Sequence, residues 1–143
     1  MKQLMMMGLV MCSLLTSCVD KEELKNEVTK TIAGNYNVSQ LFTIQGVDYT
    51  FNFSIVISIG TDPKKITIGN FAGAFWSGSG SDITADLENT TSLKITNQPV
   101  GDSSTQFLVN GTGSINGSTI TLNYTYTTST GDVYFIKDVY TKI

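Results

Sequence analysis

Three groups of side chains have types and spacing that bear on chemistry. Asp82, Asp86 and Glu88 are separated by even numbers of residues, so an extended strand presents all three on one face. Carboxylates so placed could hold Ca²⁺ if carbonyl oxygens completed the shell, but they match no Asp-x-Asp-x-Asp-Gly loop. A solvated face is the simpler expectation, and no metal site is assigned. The second group is the segment Asn70-Phe71-Ala72-Gly73-Ala74-Phe75-Trp76-Ser77-Gly78-Ser79-Gly80, which holds the only tryptophan between glycines. Aromatic rings give contact area at little entropy cost and glycines allow movement, so the segment suits the mouth of a pocket or, alternatively, a core plug. The third is Tyr124 and Tyr126, which share a strand face, together with Gly111 and Gly113 on the face of Phe107, Val109 and Ile115. Phe75, Trp76, Tyr124 and Tyr126 are therefore the candidate ligand-binding residues, with an apolar or amphipathic small molecule as the expected ligand. The glycines either leave interior volume or admit a close-packed ring, and close packing is the expectation.

What is missing narrows the chemistry further. The chain has no histidine, hence no imidazole to act as general base, metal ligand or activator of a Ser or Cys nucleophile. It also lacks arginine, its nine basic residues being lysines against twelve acids. Phosphate-tracking surfaces need clustered cations and Arg forks, so a nucleic-acid partner is excluded. No catalytic residue, cofactor or enzymatic activity is expected.

Lys2 followed by an apolar run over residues 4–15 has the form of a secretory signal. The run is about a dozen residues, short of the roughly 20 a spanning helix needs. Leu15-Thr16-Ser17-Cys18 resembles the bacterial lipobox, an aliphatic and two small residues before a cysteine. The resemblance implies cleavage before Cys18 and acylation of that cysteine. Two or more acyl chains, at about 0.8 kcal/mol per buried methylene, hold a protein durably on its membrane. Because Cys12 lies in the discarded segment, the mature chain would have Cys18 as its sole cysteine and no internal disulfide. The following Val19-Asp20-Lys21-Glu22-Glu23 resembles the acidic export signal of surface lipoproteins of the Bacteroidota, which implies an outer-membrane or cell-surface address. The expected organisation is a signal peptide over 1–17, an acylated cysteine and tether over 18–30 with at most a helical turn or two, and one folded domain over 31–143.

From Thr31 onward Thr, Ser, Asn, Gly, aromatic and β-branched residues dominate, and no window carries a 3.6-residue apolar stripe. The fold class is all-β. Residues 47–59 alternate, with Tyr49, Phe51, Phe53, Ile55, Ile57 and Ile59 on the face expected to be buried. Asn116-Gly117 predicts a two-residue type I′ hairpin turn between a strand carrying Phe107, Val109 and Ile115 and one carrying Ile120, Leu122, Tyr124 and Tyr126. Thr119, Thr121, Asn123, Thr125 and Thr127 then form an uncharged polar stripe on the opposite face, suited to water or to sugar hydroxyls. Further strands are expected over 34–44, 64–70, 82–88, 92–97 and 132–142. About eight strands with short links favour an antiparallel up-and-down β-barrel, with a β-sandwich as the alternative.

Gly34-Asn35-Tyr36 resembles the Gly-x-Trp opening of the first strand of lipocalins, and Gly111-Thr112-Gly113-Ser114-Ile115-Asn116-Gly117 resembles lipocalin-like lipoproteins of Bacteroides. Tyr36 stands where lipocalins carry Trp, and no arginine is available to pack across it. The resemblance implies a barrel that binds a small apolar or amphipathic ligand, and a monomer is the expectation. A second possibility is a filled barrel whose outer face contacts an envelope protein, a glycan or a host molecule.

Overall fold

The alternation over 47–59 is realised in the computed structural model, which describes residues 21–71, 82–101 and 106–143. One helix, α1 (Lys21–Ile32), precedes β1 (Gly34–Ile44), β2 (Val47–Ile59), β3 (Lys65–Gly69), β4 (Ile83–Leu87), β5 (Ser92–Gly101), β6 (Gln106–Asn116), β7 (Thr119–Thr127) and β8 (Val133–Lys142). The strands form a closed antiparallel barrel in sequence order. Closure is made by β8 on β1, in register from Tyr36 opposite Lys142 to Phe42 opposite Ile136. The barrel alternative is thus the correct one, since closure removes the exposed edges a sandwich would keep.

Two hairpin turns differ in an instructive way. Gln45 and Gly46 have φ of 50° and 80° between the paired Ile44 and Val47, the two positive angles of a type I′ turn. At the other hairpin Asn116 pairs with Thr119, so the loop is Gly117-Ser118 and only Gly117 is positive, at 59°. That is the type II′ signature with glycine first, one residue later than the type I′ turn expected at Asn116-Gly117.

The interior is mainly apolar, with Gln40 and Asp138 buried in it. Tyr36, Tyr140, Phe71, Leu93, Ile95 and Leu122 are among its fully buried side chains. On β2 the expected inward face is buried only in part. Ile55 and Ile57 are buried, Phe51 and Phe53 half-buried, and Tyr49 and Ile59 exposed. β3 pairs with β2 only from Val56 to Ile59, so within the described residues the upper half of β2 has a partner on one side alone.

One end of the barrel, here the bottom, is closed by α1. The helix is three turns long, more than the turn or two expected within the tether, and its last turn enters the core through Ile32 and Thr29. Thr29 Oγ1 donates to the Pro63 carbonyl at 2.7 Å and Tyr36 Oη to the Ile32 carbonyl at 2.6 Å. Tyr36 meets Tyr140 edge-on at 6.5 Å between ring centres. Lys142 Nζ donates to the Thr31 carbonyl.

Candidate functional site

Tyr124 and Tyr126 point inward from β7, as their alternation with Thr125 and Thr127 requires, and both are buried. Their rings meet each other at 5.3 Å, and Phe71, in the turn after β3, packs on both, its ring centre 4.9 Å from Tyr124 and 6.3 Å from Tyr126. Phe107 meets Tyr126 at 5.8 Å. Aromatic pairs at such distances add roughly 0.5–1.5 kcal/mol each beyond area burial.

Of the other candidates, Phe75, Trp76 and Cys18 lie outside the described residues. The two ends of the segment that carries Phe75 and Trp76 are tied together: the Asn70 amide donates to Asp82 Oδ1 at 3.2 Å, and Asn70 Nδ2 donates to the Ser54 carbonyl. Asn70 has a φ of 54°, a left-handed conformation that Asn tolerates. Among the three carboxylates, Asp82 thus serves the loop base, and Asp86 Oδ1 is 2.8 Å from Lys65 Nζ across the β3–β4 pair. Lys65's pKa is raised, by its hydrogen bond to Asp86 first and the attraction of that carboxylate second.

At the centre of the barrel is a polar cluster that the sequence reading did not single out. Asp138 Oδ2 accepts from Tyr124 Oη and Tyr140 Oη, each at 2.9 Å, and from Gln40 Nε2 at 3.5 Å. Gln40 Nε2 also donates to Tyr124 Oη at 2.8 Å. Gln40 and Asp138 are fully buried, and no cation accompanies the carboxylate in this cluster. Burial pushes the Asp138 pKa up to about 6, against the opposing pull of its three hydrogen bonds. Burial, and then the neighbouring charges, push both Tyr124 and Tyr140 well up. A period-two signal was available: Gln40 falls on the face of Tyr36, Val38 and Phe42, and Asp138 between Ile136 and Tyr140.

Gly111 and Gly113 admit close packing rather than interior space. A Cβ on Gly111 would lie 2.6 Å from the Asn123 carbonyl oxygen and 2.7 Å from Tyr124 Cα, and one on Gly113 would press on Leu122 and, at 2.9 Å, on Leu93 Cδ1. β6 therefore lies tightly on β7. Over this contact the outer wall is concave, forming a groove of ≈ 560 Å³ floored by Gly111, Tyr124 and Ile136. Its walls are the outward side chains of five strands, among them Leu41, Lys94, Asn110, Thr112, Asn123, Thr125, Phe135 and Lys137. A second groove of ≈ 460 Å³ crosses β2, β1 and β8 and is bordered by Asn37, Ser39, Asn52 and Thr141.

The outward stripe of β7, Thr119 to Thr127, is polar and its inward face apolar. This is the reverse of a barrel that spans a membrane, which is apolar outside. No helix among the described residues is long and apolar enough to cross a membrane.

No protein family matches the chain, and no curated protein does. Among solved structures it is similar to a Bacteroides fragilis protein provisionally named an outer membrane protein, with a TM-score of 0.49 and 12% identity over 81% of this chain. The chain spans about half of that structure, 52% of its length.

Proposed function

We propose that this chain is a lipid-anchored envelope protein that works from the outside of a filled barrel, as a non-enzymatic interaction protein held to its membrane through Cys18. One observation carries this: the rings of Phe71, Tyr124 and Tyr126 pack on one another inside the barrel, while the concavity over β6 and β7 opens on the outer wall. Small-molecule sites are usually preformed, and a preformed surface is available outside. The anchor is supported by the lipobox resemblance, and the polar outward stripe of β7 agrees with a domain that sits beside a membrane in water.

The lipocalin-like alternative, a small apolar ligand inside the barrel, requires Phe71 to move aside. It draws support from the aromatic ring cluster of Phe71, Phe107, Tyr124 and Tyr126. Titration of the full chain with fluorescent fatty-acid and sterol-like probes separates the two. The expected result is unchanged Trp76 emission and unmoved Tyr124 and Tyr126 ring signals in NMR. Saturable shifts in both would overturn the outer-wall reading in favour of the interior one.

A further inference from the structure

Resting on that outer-wall reading, we propose that the groove over β6 and β7 binds a short acidic oligosaccharide. Its carboxylates would meet Lys94 and Lys137, and its rings would lie on Phe135. Strand register supplies the geometry. Lys94 is opposite Thr112, Thr112 opposite Asn123, and Asn123 opposite Lys137, so these four form one rung across β5 to β8. Three strand spacings separate the two lysines, roughly 14 Å, a span for an extended chain of sugars rather than one small anion.

Charge sets the sign of the ligand. Neither lysine makes an ion pair among the described residues, although the protein as a whole is acidic. Asp86, opposite Lys94 on β4, is held by Lys65, and no carboxylate is among the described residues that line the groove, although Asp48 accepts from the lining Thr43. Lys94 and Lys137 thus stand as two lysines without an ion pair on an otherwise acidic surface. A nucleic acid would ask for a denser cationic track with arginine.

The uncharged positions select for sugar. The amides of Asn123 and Asn110 and the hydroxyl of Thr112 make no side-chain hydrogen bond among the described residues and are free to meet ring hydroxyls. Asn110 pairs with Thr125 and Thr125 with Phe135, which sets the phenyl ring one rung from the lysines. Phe135 is 74% exposed, an unusual cost for a large ring in water unless a flat apolar face covers it. The C–H face of a pyranose is such a surface.

The test uses the full chain, with tetragalacturonate and its uncharged methyl ester as probes in calorimetry at low salt. Tetragalacturonate is expected to bind about tenfold or more tightly than the ester, and Lys94→Gln or Lys137→Gln should each remove about tenfold. Added salt should weaken the acid and spare the ester, and Phe135→Ala should weaken both. Equal binding of the two probes, no binding, or indifference to the lysine variants would overturn the proposal. A photo-cross-linking residue in place of Thr125, activated on cells, separates this failure from that of the outer-wall reading. A glycan adduct supports both, a protein adduct overturns the oligosaccharide alone, and absence of any adduct overturns both.

Discussion

The Tyr124 hydroxyl donates to Asp138 Oδ2 at 2.9 Å along a diagonal, since the residue directly opposite Tyr124 is Ile136. With Tyr140 and Gln40 donating to the same oxygen, the barrel buries a carboxylate that is stabilised by neutral donors alone. Such donors offset only part of the desolvation cost of a charge.

Stability should therefore fall as pH rises. The Asp138 pKa is about 6 in the folded chain against an ordinary 3.8, so between these values the folded chain keeps a proton that the unfolded chain has lost. Its contribution is fully present below about pH 4, is lost through pH 6, and amounts to about 3 kcal/mol. Urea midpoints at pH 4.5 and 8 measure it. Asp138→Asn should flatten the difference and be more stable than the parent at pH 8.

Gly111→Ala should cost about 3 kcal/mol or more, because the added methyl meets the backbone of Asn123 and Tyr124, which cannot move without parting β6 from β7. Gly117→Ala has open space and only the cost of its positive φ, about 1 kcal/mol. Similar losses at the two positions would contradict the close strand contact.

Ile57→Ala should cost roughly 2–5 kcal/mol by cavity formation. Phe51→Ala should cost less, because Phe51 is half-buried, and Asn52→Ala less again. Thermal or urea unfolding of the three variants gives the order.

These differences show what alternation makes legible. The bounds of β1 and β2 follow from Gln45-Gly46 and from the period-two run to Ile59, because both signals are local. Burial along β2 is not local: it depends on where the short β3 ends, which no residue of β2 encodes. The same holds for β5. It runs to Gly101, beyond the expected 97, through a register shift between Ile95 and Gln98. The Gln98 side chain there pairs with the Thr84 backbone, accepting at 2.9 Å and donating at 2.7 Å. Tyr124 and Tyr126 were visible as inward residues, but the Phe71 that packs on both comes from a distant loop, and the groove arises from five strands no single one of which looks like a site.

Phe71→Ala should destabilise the chain by about 3–5 kcal/mol and leave a void beside Tyr124 and Tyr126. Apolar voids of that kind stay dry and take up small apolar molecules. A benzene-sized probe should bind the variant and not the parent in NMR. Binding to the parent would favour the interior reading.

Cys18 should carry the lipid. Mass spectrometry of the mature N-terminus is expected to give an acylated cysteine at residue 18, and Cys18→Ser an unprocessed chain lost from the membrane fraction. An unacylated N-terminus at another residue would remove the anchor.

The seam between β1 and β8 joins the first strand of the barrel to the last, and it governs the order of events in the life of the chain. No barrel can close until Val133 to Lys142 exist, so a chain emerging from a ribosome keeps two open edges until β8 is made. Pairings so distant in sequence also form slowly. For a chain exported through the proposed signal over residues 1–17 this delay is a gain, because a chain that cannot finish folding early remains a thread that can still pass through a translocation pore.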